Sequence, residues 1–148
     1  MKIKILIFLA TSVFFLLSSS SKSAIAEEIA VVVNKDNPVE TLSLEEVKDF
    51  YKNNVLTWSD GSRVVMYDLP VKHEVRKVFS VVLLGKEAKE VAREWANKKI
   101  TNTAKNPPFT LKSEVLIQHK VSKSVAAIGY VRKSKLSRDK VRVVAVIK

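Results

Sequence analysis

The chain has 148 residues, with 26 basic and 15 acidic side chains, a formal charge of +11 and no cysteine. Without cysteine it can form no disulfide, thiolate metal site or thiol nucleophile, and glycine occurs only at 61, 85 and 129, which excludes P-loop and dinucleotide-type glycine motifs. The basic excess does not point to nucleic acid, because the basic clusters lack the interleaved aromatics on which bases stack.

Lys2 and Lys4, an apolar run of 13 residues from 5 to 17 broken only by Thr11 and Ser12, and Ala24-Ile25-Ala26 follow one another. This is the order of a charged region, an apolar region and a small-x-small cleavage site. The run is shorter than the ~20 residues a membrane-spanning helix needs. Residues 1–26 therefore read as a cleavable signal peptide and residues 27–148 as one exported, periplasmic domain with no stable membrane insertion after cleavage. Loss of Lys2, Lys4 and Lys22 takes the charge from +11 to +8.

Ile29-Ala30-Val31-Val32-Val33 is apolar without alternation, which predicts a central, largely parallel strand covered on both faces. Lys35-Asp36-Asn37-Pro38 predicts a turn. Ser43 with Glu46 forms a capping box, opening a helix with Leu44, Val47, Phe50 and Tyr51 on one face. Asp60-Gly61 predicts a turn before a second strand, Arg63-Val64-Val65-Met66-Tyr67. Val75, Val78, Phe79, Val82 and Leu83 then recur at helical spacing up to Gly85. A third helix spans 86–100, with Ala88, Val91, Ala92 and Trp95 as its buried stripe. Pro107-Pro108 enforces a loop, and Thr110 is the expected N-cap of a fourth helix. Residues 125–131 and 141–147 predict two closing strands. The order βαβαααββ implies an α/β three-layer sandwich, with a mixed four- to five-stranded sheet and helices on both faces.

Catalytic constellations are scarce. His73 and His119 lie on different predicted helices, in no metal-binding spacing, and there is no G-x-S-x-G elbow. No enzyme activity, cofactor or metal is expected. In open α/β sheets ligands bind outside the carboxyl ends of parallel strands, which selects two segments. One is Asn34 to Asn37 after the first strand; the other is Asp68 to Arg76 after the second, where Lys72, His73 and Arg76 fall within one helical turn and favour an anion. The candidate ligand-binding residues are therefore Asn34, Asn37, Asp68, Lys72, His73 and Arg76. Arg132, Lys133, Lys135, Arg138, Lys140 and Arg142 crowd a further basic stretch against one acid, Asp139, and read as a solvated face.

Several blocks together carry a family resemblance: Ile29 to Asn34 with Asn37-Pro38, Leu42-Ser43-Leu44-Glu45-Glu46-Val47 with Phe50-Tyr51, Trp58 with Asp60-Gly61, Arg76, Phe79, Leu84-Gly85, Trp95, Pro107-Pro108, and Ala127-Ile128-Gly129-Tyr130-Val131. In this order they resemble the periplasmic binding-protein-like domain of phosphate ABC transporter substrate-binding proteins, in its compact one-domain version. The resemblance implies a single lobe of that fold and a solute-binding-like protein. Compact relatives look like Asp-Arg-Pro-x-Gly-Ser where this chain has Asp68-Leu69-Pro70-Val71-Lys72-His73. Leu69 thus stands at the arginine place and Lys72-His73 at the Gly-Ser place, which implies weak binding of phosphate or another small anion. The alternative is an envelope protein-interaction or signalling module that has lost solute binding.

Overall fold

All six residues of the first strand, β1 (Ile29–Asn34), are buried, as a β-branched run without alternation requires. The computed structural model describes residues 27–148; residues 1–26, which carry the predicted export signal, lie outside the described residues. After β1 come α1 (Leu44–Tyr51), β2 (Val65–Asp68), α2 (Glu74–Phe79) running into a π-helical segment (Ser80–Leu84), α3 (Ala88–Ile100), β3 (Phe109–Thr110), α4 (Glu114–Lys123), β4 (Ala127–Arg132), a short 3-10 turn (Lys133–Lys135) and β5 (Val141–Ile147). The chain is α/β, and its five strands form one mixed sheet in the order β3-β2-β4-β1-β5.

β1 is not parallel to its neighbours as its composition suggested. It runs antiparallel to both β4 and β5, while β2 is parallel to β3 and β4. Burial on both faces made the run continuous, and burial depends on the covering helices rather than on strand direction. On one face lies α4. A Cβ built on Gly129 of β4 would sit 2.5 Å from Ile117 Cγ2 of that helix, so glycine here lets the helix approach the sheet. The other face carries Tyr130 of β4, whose ring stacks on Phe79 of α2 at 3.7 Å between centroids and meets Tyr51 of α1 edge-on at 5.9 Å.

The capping box forms as predicted: Glu46 N–H donates to Ser43 Oγ at 3.1 Å, and Ser43 N–H to Glu46 Oε2 at 2.7 Å. Two local expectations fail. α4 is capped by Ser113, whose side chain accepts from Leu116 N–H, while Thr110 joins Phe109 in a short strand beside Tyr67 and Asp68. In α2 and its continuation, Val75, Arg76, Phe79, Ser80, Leu83 and Leu84 are buried, whereas Val78 and Val82 are exposed. The π turns widen the helix, so the inward stripe advances by four residues per turn and leaves the valines outside.

β5 is the last strand in the sheet and has its outer edge covered. Its register shifts against β1 between Val31 and Val32, and the Val144 carbonyl accepts from Leu42 N–H at 2.8 Å. The segment before α1 therefore covers a long apolar strand that would otherwise invite pairing.

Candidate functional site

Asp68 is the last residue of β2, and the parallel pairing of β2 with β4 brings it level with Tyr130. The turn after it is closed by His73 N–H donating to Pro70 C=O at 2.8 Å. That reversal returns the first turn of α2 over the strand end, where Arg76 pairs with Asp68 Oδ2. The Tyr130 hydroxyl and the Leu69 N–H, the latter at 2.8 Å, both donate to Asp68 Oδ1. Asp68 and Arg76 are each only 3% exposed. Both carboxylate oxygens are therefore engaged, and the pair is held by three elements.

Burial pushes the Asp68 carboxyl above its ordinary value, against the opposing pull of Arg76, the Tyr130 hydroxyl and the Leu69 N–H. Burial is the largest single influence on Arg76 and works against its charge, but Asp68 and Tyr130 together more than offset it and the guanidinium is held above its ordinary value. The Tyr130 phenol is raised well above 10.0, first by burial and then by the nearby Asp68 charge. Its proton is thus fixed in the hydrogen bond to Asp68.

Beside the pair opens a cavity of about 250 Å³ whose walls include Asp68, Arg76, Trp95, Lys99, Pro108 and Thr110. The charge of Arg76 is compensated internally. Lys99 makes no ion pair among the described residues, so it brings the uncompensated positive charge to this cavity, and Thr110 brings a hydroxyl. The cavity therefore carries one ammonium and one hydroxyl, without a free bidentate clamp.

The remaining predicted residues are placed differently. His73 is the N-cap of α2: its Nδ1 accepts from Val75 N–H at 3.3 Å, and its Nε2 lies 3.8 Å from Glu114. Lys72 is exposed on the preceding turn and is not among the cavity walls. Asn34 and Asn37 are at the other end of the sheet, because β1 is antiparallel to β4 and β4 is parallel to β2. There they act as buried staples. The Asn34 amide donates to Val121 C=O and the Asn37 amide to Val125 C=O, each at 2.9 Å, while their carbonyl oxygens accept from Asp36 and Val39 N–H. The structure thus unites Asp68 and Arg76 and separates both from the two asparagines.

Sequence reasoning missed Tyr130, Lys99 and Thr110 as neighbours of the pair, and it assigned Trp95 only to the core. It also missed Glu114, a buried carboxylate that accepts from Arg132 N–H at 2.7 Å and lies within 4 Å of His73, Arg132 and Lys135. Among the described residues no group of three or more histidine, aspartate or glutamate side chains is placed to hold a metal, and no helix is long and apolar enough to cross a membrane.

At the same end of the sheet a second cavity, of about 350 Å³, lies between Ile29, Val75, Val78 and Val82, with Glu27, Glu74, Arg132 and Lys148 at its rim. Its interior is apolar and its rim carries both signs of charge.

The fold is that of a single lobe of periplasmic binding-protein-like receptors. An ABC-type phosphate transport receptor from Vibrio cholerae matches 80% of this chain and 45% of its own length, at 16% identity and a TM-score of 0.62. A protein from Clostridium perfringens, described as a phosphate ABC transporter substrate-binding protein and solved with bound phosphate, matches 80% of this chain and 44% of its own length at 24% identity, also with a TM-score of 0.62. PstS from Borrelia burgdorferi matches 80% and 47% at 13% identity, with a TM-score of 0.60. The chain therefore spans less than half the length of each receptor. No protein-family model and no curated protein matches it by sequence.

Proposed function

We propose that the chain is a periplasmic, non-enzymatic solute-binding-like protein, exported by its N-terminal signal, that takes phosphate or another small anion weakly in the cavity beside Asp68 and Arg76. The observation that carries this reading is the buried Asp68–Arg76 pair at the carboxyl end of β2, opening on a cavity that holds the uncompensated Lys99. The position is where open α/β sheets receive ligands. The fold supports it, since one of the matched receptors was solved with bound phosphate.

Weak binding follows from two features. Arg76 is already neutralised by Asp68, so an incoming anion gains little from it unless the pair rearranges. The cavity also opens to solvent, where each ionic contact contributes less.

Calorimetry and thermal melts of the protein against phosphate, sulfate and acetate test the proposal. Millimolar phosphate or sulfate should stabilise the fold, added salt should compete, and Lys99→Gln should weaken binding by about three- to tenfold. Absence of stabilisation by any of the three anions at millimolar concentration would overturn it.

A second reading, a partner-docking or signalling module of the envelope that has lost solute binding, is favoured by one observation. Val78, Val81 and Val82 are 43%, 47% and 52% exposed in one stripe beside the apolar cavity, a surface of the kind that marks interaction sites. The same titration separates the two readings, because a docking module predicts no response to small anions.

A further inference from the structure

The opposite end of the sheet carries a different concentration of charge. The turn after β1 and the first residues of β5 border an open cavity of about 420 Å³ lined by Lys35, Arg138, Val141, Arg142 and Val143. No acidic side chain is among its walls, and none of the three cations forms an ion pair among the described residues.

Hydrogen bonds fix the backbone that presents these charges. Lys35 sits in a turn held by Asn37 N–H donating to Asn34 C=O at 3.1 Å and by Asp36 N–H donating to the Asn34 side chain at 2.9 Å. Arg138 follows Ser137, whose N–H donates to Gln118 Oε1 of α4 at 2.6 Å, and the loop closes through Lys140 N–H to Ser137 C=O at 3.0 Å. Arg142 is half-buried, and its Nη2 donates to the carbonyls of Asn37 and Val39, the latter at 2.7 Å. One guanidinium is therefore set in place, with two exposed cations beside it.

Like charges converging on one cavity repel one another, and apart from the two carbonyls bonded to Arg142 nothing in its wall offsets the repulsion. An anion in the cavity relieves it. Two guanidinium groups and an ammonium suit tetrahedral oxyanions with two or more negative charges. A monocarboxylate would leave most of the positive charge uncompensated, and a neutral sugar or an amine gains nothing there. Val141 and Val143 give the wall an apolar part that tolerates the ester side of a phosphorylated molecule.

We propose that Lys35, Arg138 and Arg142 form a second anion site, for a phosphate-type oxyanion that is either free or the headgroup of an anionic lipid. It lies at the Asn34 end of β1 and so across the sheet from Asp68 and Arg76. Binding at either site does not require the other.

The test has two arms. Inorganic pyrophosphate is titrated into the protein by calorimetry, and co-sedimentation compares vesicles of phosphatidylglycerol and phosphatidylcholine with vesicles of phosphatidylcholine alone. The variant is Lys35→Gln/Arg138→Gln, both positions being exposed, with thermal melts to confirm folding. Lys89→Gln/Lys120→Gln, also exposed, removes the same charge elsewhere.

The expected result is binding in at least one arm, weakened about tenfold by the first variant and unchanged by the second. Binding of pyrophosphate identifies a free oxyanion as ligand, and binding of anionic vesicles alone identifies a headgroup. Binding in neither arm, or equal loss in both variants, would overturn the site.

Discussion

Replacing Arg76 with alanine should cost the fold about 3–5 kcal/mol, because it leaves the Asp68 carboxylate buried without its counter-charge. Both side chains are almost fully enclosed, so solvent cannot screen the loss. The effect should depend on pH with a definite sign. Burial already raises the Asp68 carboxyl above its ordinary 3.8, and Arg76 is the largest pull in the other direction. A carboxyl raised in the folded state binds its proton more tightly there than in the unfolded chain. Its contribution to stability is therefore fully present below the unfolded value and is lost as pH rises through the folded one. Removing Arg76 extends that window upward, so the variant should recover stability on acidification more than the parent does. Urea denaturation of both proteins across the acid range measures this, and adding Asp68→Asn to the variant should flatten the difference. A variant with parental stability and an unchanged pH profile would show that the pair contributes nothing.

Phe79→Ala should be of similar size, about 3–5 kcal/mol. Phe79 is fully buried. It stacks on Tyr130 with ring planes 4° apart and meets Tyr51 edge-on at 4.9 Å. Truncation opens a cavity between α1, α2 and the sheet, and it frees the Tyr130 ring whose hydroxyl donates to Asp68. The loss should therefore reach the cavity beside Asp68 and Arg76 as well as the core. A drop in melting temperature together with weakened anion response is the expected result; a loss below about 1 kcal/mol would mean that the core collapses around the gap.

Much of the architecture is legible in the residues, for local reasons. The unalternating β1 run, the Ser43 and Glu46 box and the Pro107-Pro108 break each report a short-range constraint, and each appears where the pattern puts it. Strand direction is not a short-range property. The β1 run looks the same whichever way its neighbours point, so the sequence does not show that Asn34 and Asn37 lie at the end of the sheet opposite Asp68. Nor does the spacing of Val75, Val78, Phe79 and Val82 announce π turns. A four-residue advance differs little from the ordinary helical period over two turns, yet it decides that Val78 and Val82 face outward.

The candidate site is legible in part. Asp68 and Arg76 are eight residues apart and could be placed together from the strand, turn and helix that join them. Tyr130, Lys99 and Thr110 come from later elements, and only the crossover that makes β4 parallel to β2 brings Tyr130 level with Asp68. In the sequence Lys99 is one lysine among Lys98, Lys99 and Lys105, with no motif to single it out. Its position at the cavity depends on how α3 packs, which no motif encodes.

The central claim is that a small anion enters the cavity beside Asp68 and Arg76. Its most direct test is a titration of the isotope-labelled protein with inorganic phosphate, followed residue by residue through its amide and indole N–H resonances. The account predicts saturable shifts centred on Leu69, Arg76, Lys99, Thr110 and the Trp95 indole. Absence of saturable shifts at millimolar phosphate, or shifts confined to Lys35, Arg138 and Arg142, would contradict it.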